Sequence, residues 1–329
     1  MGLIHMTRGF WKKLKKPFFV LAPMADVTDA AFRHIIAKYG KPDAMWTEFV
    51  SCEGLCSRGK ERLLVDLQYS SKERPIVAQL FGSNPEHMYE CAKLIRSLKF
   101  DGLDINMGCP DRAIEKQGAG AALIKNPHLA EELIRAAKEG AGTIPVSVKT
   151  RIGYSTNTLE EWLPVLLKAE PAAITIHGRT RKEMSKVPAN WNVIHDAVLL
   201  TKKYTSAIKR PLIIGNGDVR DICDAREKIK QSGVDGVMIG RGIFGNPWLF
   251  NKKYEGKEIP QEKRLRVLVE HAKYFEKIFK DIKRFEIMKK HFKAYASGFD
   301  GAKELRVHLM NTHSAKEVEG IITSHLLTI

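Results

Sequence analysis

The sequence predicts an α/β protein: a (β/α)8 TIM barrel followed by a smaller, all-helical C-terminal domain. Three observations carry this reading. Short β-rich apolar runs recur eight times between residues 18 and 244. Most of the gaps between them have helical spacing. Nearly every run ends in a polar or glycine-rich set, and in a barrel those carboxyl ends share one rim. Strands alternating with helices imply a parallel sheet. An open doubly wound sheet would usually show a GxGxxG turn after its first strand, where this chain has "APMADVTD".

The first run, "FFVLAPM" (18–24), ends in Pro23 and Met24. "DAMWTEFV" (43–50) carries Glu48, and "PIVAQLFG" (75–82) carries Gln79. A helical stretch, "NPEHMYECAKLIRSLKF" (84–100), leads to "GLDINMG" (102–108), which ends at Asn106 with Cys109 just beyond. The next helix, "NPHLAEELIRAAKEG" (126–140), places Leu129, Leu133, Ile134 and Ala137 on one face. Asn84 and Asn126 are N-caps by pattern, each followed by Pro at the first helical position. "PVSVKTRIG" (145–153) then brings Lys149 and Arg151, and "AAITIHGRT" (172–180) brings His177 and Arg179. "PLIIGNGD" (211–218) ends in Asn216, Gly217 and Asp218, and "GVMIGRGIF" (236–244) contains Gly240 and Arg241.

The pattern changes near residue 250. Residues 263–299 carry one long helical periodicity, with Leu265, Leu268, Ala272, Phe275, Phe279, Ile282, Phe285, Met288, Phe292 and Tyr295 recurring every three or four positions. The division is a basic tail over 1–17, a barrel over 18–250 and a helical domain over 251–329. Net charge is +16, concentrated in the tail and the helical region. Such a charge suggests an anionic partner, nucleic acid being the commonest; a plainly basic surface is the alternative. The five cysteines are odd in number and irregular in spacing, which fits a reducing, cytoplasmic setting. The apolar run after the basic N-terminus meets Pro23 and Asp26 too soon for an export signal. No apolar stretch approaches the roughly 20 residues that span a bilayer. The sequence sets no oligomeric state and is compatible with a monomer.

Glycines at the ends of the last two strands allow close backbone approach to a ligand, and the corresponding barrel loops commonly bind a phosphate. Arg241 and the helix start near 245–247 would assist. With Lys149, His177 and Gln79, this cradle suits a flavin mononucleotide, FMN. Lys149 can stabilise the reduced ring, Gln79 can hydrogen-bond it, and Pro23 and Met24 can seat it. Metal is not expected: there is no HExxH and no Cys/His cluster at zinc spacing. Cys52 and Cys56 read as small core residues on one helix face, and Cys91 as packing. Cys109 differs, because it sits in a Gly/Pro turn past the fourth strand. It is a nucleophile if a partner lowers its pKa, or a general acid if the thiol stays protonated.

"APMADVTDAAFR" (22–33), "NMGCP" (106–110), "GAGAALIKNP" (118–127), "SVKTRIG" (147–153), "ITIHGRTR" (174–181), "IIGNGDV" (213–219) and "MIGRGIFGNPWLF" (238–250) together resemble the tRNA-dihydrouridine synthases, compact bacterial or archaeal type. "MKKHFKAYASGFDGAKELR" (288–306) is similar to that family's helical RNA-binding domain. The resemblance implies reduction of the uracil C5–C6 double bond in tRNA. NADPH would reduce the flavin, the flavin would give a hydride to C6, and Cys109 would protonate C5. It implies that Pro23, Met24, Ala25, Gln79, Lys149, His177, Asn216, Gly217, Asp218, Gly240 and Arg241 hold FMN. Asn106 would position the flavin or the base, and Arg179 and Arg181 would meet the base or the RNA backbone. The glycines of 118–120 would let their loop pass close to substrate, and residues 181–191 would form a mobile loop beside the base pocket. The target base must leave its stack, at a cost met by phosphate contacts from Lys283, Lys289, Lys290, Lys293 and Arg306. The rivals are a barrel flavoenzyme for a small molecule, such as a dihydroorotate dehydrogenase, and an RNA-binding barrel without catalysis.

Overall fold

The computed structural model describes residues 8–327. Eight strands appear where the apolar runs place them. They are β1 (Phe18–Leu21), β2 (Met45–Ser51), β3 (Ile76–Phe81), β4 (Gly102–Met107), β5 (Val146–Arg151), β6 (Ala173–His177), β7 (Leu212–Asn216) and β8 (Gly236–Ile239). All neighbours pair in parallel in the order β1-β8-β7-β6-β5-β4-β3-β2. A parallel bridge from Val20 to Ala44 joins the two end strands and closes the ring. The predicted barrel is borne out.

The helices in chain order are α1 (Ala30–Tyr39), the short α2 (Cys52–Leu55) and α3 (Lys60–Leu64), α4 (Pro85–Ser97), the short α5 (Arg112–Lys116), α6 (Pro127–Ala141), α7 (Leu159–Lys168), α8 (Trp191–Tyr204) and α9 (Ile222–Ser232). The C-terminal region adds α10 (Gln261–Phe279), α11 (Lys289–Tyr295), α12 (Ala302–Met310) and α13 (Ala315–Leu326). Asn84 and Asn126 cap α4 and α6 through their side chains, with Pro at the first turn of each helix. Leu133, Ile134 and Ala137 of α6 are fully buried and Leu129 is partly buried, so the predicted face is the one turned to the core.

Strand register levels the rim. Gln79 pairs with Asp104, and Asn106 with Lys149. Arg151 pairs with His177, His177 with Asn216, and Asn216 with Met238. Side chains alternate across a strand, so Asp104 and Asn106 share one face, as do Lys149 and Arg151.

Three expectations need correction. The first concerns the basic tail. Residues 1–7 lie outside the described residues, but from Arg8 onward the segment is anchored to the barrel, although Lys12, Lys13 and Lys15 stay exposed. Trp11 is buried against Phe18 and Trp46, with ring centroids 5.7 and 5.9 Å away. Arg8 donates to the carbonyls of Ile208 and Arg210, and Lys16 pairs with Asp235 at 2.6 Å.

The second concerns the long periodicity of 263–299, which is not one helix. The chain turns after Phe279, where Asp281 adopts φ 66°, and Ile282 is exposed. The turn folds the apolar residues back on one another: Phe285 lies 6.3 Å from Phe275 and 6.4 Å from Phe292. This helical region also shares a core with the barrel. Ala31 and Ile35 of α1 and Trp248 pack with Leu268, Ala272, Phe275 and Phe292.

The third concerns the cysteines. Cys52 and Cys91 are buried, but Cys56 caps α2 and is exposed, with its sulfur 3.8 Å from that of Cys91.

Candidate active site

The turn carrying Cys109 is built by its neighbours. Asn106, at the end of β4, accepts through Oδ1 from the backbone N–H of Gly108 at 3.1 Å and of Cys109 at 2.9 Å. The Cys109 carbonyl accepts from Ala121 N–H at 2.9 Å. Gly120 (φ 61°) is required there, because a Cβ would come within 2.8 Å of that same carbonyl oxygen. This glycine therefore serves the cysteine turn, not the passage of substrate that the sequence suggests. Burial pushes the Cys109 thiol above its ordinary pKa, although an Asp111 backbone hydrogen bond and the charges of Lys149 and Arg151 oppose it. The thiol is thus protonated at neutral pH, which suits an acid better than a nucleophile.

Beside the turn, a cleft of about 210 Å³ is lined by Pro23, Met24, Lys149, His177, Asn216, Gly217, Asp218, Gly240 and Arg241, together with Ala22, Arg179, Val219 and Met238. Nine of the eleven residues expected to hold a cofactor therefore share one cavity. Ala25 and Gln79 do not line it. Ala25 is exposed past the β1 turn. Gln79 is fully buried, with its amide spent on Asp104 at 2.6 Å and Asn106 at 3.1 Å.

The cleft is electropositive. Lys149 makes no hydrogen bond or ion pair among the described residues, and burial, with Arg151 nearby, lowers its pKa to about 8. His177 is held neutral, its pKa pushed down to about 2 by burial and then by Lys149, Arg151, Arg179 and Arg241. Arg179 Nη1 lies 3.0 Å from His177 Nε2. A guanidinium only donates, so Nε2 accepts and the ring proton sits on Nδ1. Asp218 (φ 50°) bridges two arginines, Arg179 and Arg241, the latter at 2.9 Å. Burial raises its pKa, but the Arg179 hydrogen bond, the Ala189 N–H and both charges outweigh this and leave it below the ordinary carboxylate value. Gly217 (φ 125°) admits no side chain, since a Cβ would meet Ala189 at 2.6 Å and the His177 ring at 3.0 Å.

A family model described as Dihydrouridine synthase (Dus) matches residues 20–328. The chain belongs to the dihydrouridine synthase family. The resemblance read from the strand-end motifs is borne out. The chain is 43% identical over 320 residues to a probable tRNA-dihydrouridine synthase 2 of Bacillus subtilis (strain 168), covering 96% of each chain. It is 41% identical to a probable tRNA-dihydrouridine synthase of Staphylococcus aureus (strain COL), covering 96% of this chain and 95% of that one. Among solved structures, morphinone reductase aligns with a TM-score of 0.54 at 13% identity, over 77% of this chain and 89% of that one. The old yellow enzyme homologue of Zymomonas mobilis aligns at 0.51 and 13%, over 75% and 90%. At these identities they support the barrel fold alone.

In this dihydrouridine synthase chain, the residues expected to meet substrate are largely occupied by the protein itself. Arg179 is 2% exposed and is shared among Val187 O at 2.6 Å, His177 and Asp218. Arg181 pairs with Glu115 and lies 5.6 Å over the Tyr154 ring. Residues 181–191, expected to be mobile, are pinned by Arg181 N–H to Gly153 O and Lys182 N–H to Tyr154 O, both at 2.9 Å, and by Ala189 N–H to Asp218 at 2.8 Å. Of the basic candidates, Lys283 is half-buried between Glu48 at 2.9 Å and Asp66 at 2.7 Å. Arg306 donates to Ala296 O at 2.8 Å. Lys290 and Lys293 are exposed, and Lys290 pairs with Asp26 at 2.8 Å.

The roles of two contributors are not legible in the sequence. Asp104 is fully buried beneath Asn106, and burial raises its pKa to about 6 against hydrogen bonds from Ser147 and Gln79 and the charge of Lys149. Arg151 reaches Gly108 O, Thr180 O and Met184 O. Among the described residues no group of three or more His, Cys, Asp or Glu could hold a metal ion, and no helix is long and apolar enough to cross a membrane.

Proposed function

We propose that the protein is a tRNA-dihydrouridine synthase that uses FMN, with NADPH as electron donor, to reduce the C5–C6 bond of specific tRNA uridines. The observation that carries this reading is a cleft of strand-end residues whose Lys149 lies close enough to Cys109 for its charge to act on the thiol. Three features support the fit to FMN. Lys149 offers a recessed cation with no protein partner among the described residues. Gly240 presents a bare backbone opposite the Met24 sulfur, with 3.5 Å left for the missing Cβ. Arg241, 66% exposed at its side chain, stands where a phosphate would sit.

Bound FMN supplies the hydride that adds to uracil C6. Lys149 stabilises negative charge on the cofactor, and neutral His177 with Asn216 and Gly217 frames its seat. Hydride addition leaves an enolate-like ring, and the protonated Cys109 thiol gives C5 its proton. Burial of the thiol favours that neutral form. Arg179 and Arg181 hold the surrounding loop instead of touching the base. Lys289, Lys290 and Lys293 supply phosphate contacts that help offset base extrusion.

Purified protein should be yellow, with a flavin spectrum bleached by NADPH. tRNA from cells lacking the protein should lose dihydrouridine at defined positions and regain it on re-expression. A colourless protein that cannot be reconstituted with FMN would overturn the reading.

A further inference from the structure

A line of hydrogen bonds runs under the cleft from β5 to the cysteine turn. Ser147 Oγ donates to Asp104 Oδ1 at 2.5 Å, and Gln79 Nε2 donates to Asp104 Oδ2 at 2.6 Å. Asn106 Nδ2 donates to Gln79 Oε1 at 3.1 Å. Asn106 Oδ1 then accepts the N–H groups of Gly108 and Cys109. Asp104, Gln79, Asn106 and Ser147 are all buried, so losing a partner leaves a buried polar group to be satisfied.

The order of this line is dictated from its two ends. An ionised carboxylate only accepts, so Gln79 must turn its NH2 toward Asp104. Its carbonyl oxygen then faces Asn106, which must answer with its own NH2. That leaves the Asn106 oxygen for the turn, where two backbone N–H groups require an acceptor. A flipped Gln79 would set oxygen against carboxylate, and a flipped Asn106 would set NH2 against two N–H donors. Each amide has one permitted orientation.

We propose that Asp104 is a positioning residue that acts through Gln79 and Asn106 to hold the Cys109 thiol at the cleft. The proposal deepens the reading of Cys109 as proton donor and rests on it. Asp104 touches neither thiol nor substrate. It fixes the polarity of the two amides that fix the turn. It also accounts for Gln79 being closed within the protein instead of lining the cleft.

The test exchanges the charge between the ends of the line. In Asn106→Asp, two carboxylates face one Gln79 amide that has a single NH2, so one contact must break or take up a proton. Adding Asp104→Asn restores complementarity in reverse: residue 104 donates to Gln79 Oε1, Gln79 Nε2 donates to residue 106, and residue 106 still accepts both backbone N–H groups. Amide-resolved hydrogen exchange at Gly108 and Cys109 is the deciding measurement. In Asn106→Asp exchange should quicken at least tenfold and gain a pH dependence beyond the intrinsic rate, and Asp104→Asn/Asn106→Asp should recover slow, normally pH-dependent exchange. Unchanged exchange in the single variant, or no recovery in the double, overturns the proposal. The unsubstituted protein gives a check that needs no variant to fold: both amides should exchange as slowly as those within β4, and loop-like exchange would equally overturn it. Reduction of tRNA by pre-reduced protein should recover at least tenfold from single to double variant. If exchange recovers but no form of the protein reduces tRNA, the positioning role stands and the functional reading falls.

Discussion

Arg151 Nε donates to the Gly108 carbonyl at 2.8 Å, tying the end of β5 to the turn that carries Cys109. Its Nη1 also reaches Thr180 O at 3.0 Å and Met184 O at 3.1 Å, so one guanidinium joins two rim loops. Lysine keeps the charge but not the planar fork. Arg151→Lys should therefore retain FMN while slowing uracil reduction about 100-fold, the scale of a 1 Å misplacement. Single-turnover kinetics with pre-reduced protein would check this. Loss of FMN together with activity would instead assign Arg151 to the cofactor seat.

Cys109→Ala removes the proposed acid without disturbing the cleft lining. FMN content and NADPH oxidation should stay near wild type, while tRNA reduction falls about 10²- to 10⁴-fold, the usual contribution of a positioned acid. Burial raises the pKa of the thiol, so the acid form persists at neutral pH and is lost only well into the alkaline range. Full tRNA reduction by the variant, measured by dihydrouridine mapping, would remove the acid role.

The legible part of this site is the part that sits at strand ends. Strand period and register bring Lys149, His177, Asn216 and Gly240 to one rim, and each stands out as polar or glycine after an apolar run. Arg151 is visible at its strand end, but its partners are backbone carbonyls, which have no sequence signature. Asp104 looks like any strand residue because its role depends on Gln79, 25 residues earlier and in register only across the sheet. Lys283 looks like a surface charge because Glu48 lies 235 residues away. The break after Phe279 is hidden for a related reason: the apolar spacing continues through it and is satisfied by packing across a turn.

If Lys149 holds FMN as proposed, FMN binding should itself depend on pH. Burial lowers its pKa to about 8 in the free protein, so its charge is present at pH 7 and lost as pH rises through that value. Losing the cation removes its attraction for an electron-rich, phosphorylated ligand. The FMN dissociation constant of the apoprotein, read by fluorescence quenching, should rise several-fold between pH 7 and 9. Lys149→Met should bind more weakly at pH 7 and show a flatter profile. An equally steep profile in that variant would place the titrating group elsewhere.

Lysines of the C-terminal region divide into two classes that a pair of variants can separate. Lys283 is 14% exposed at its side chain, between Glu48 and Asp66. Burial raises the Glu48 pKa even with this lysine opposing it. Lys283→Met would leave two carboxylates facing each other, at a cost of about 3 kcal/mol in denaturant unfolding, as for other broken buried pairs. The salt dependence of tRNA binding should change little, because this charge is already paired with two carboxylates and mostly covered. Neutralising Lys289, Lys290 and Lys293 together should do the reverse. The ion pair from Lys290 to Asp26 is exposed, and such pairs contribute at most about 1 kcal/mol. Each cation withdrawn from a phosphate lowers the log–log salt slope by roughly 0.7 to 0.9, so the triple variant should flatten it by about 2 and bind tRNA correspondingly more weakly. An unchanged slope would move the RNA surface away from α11.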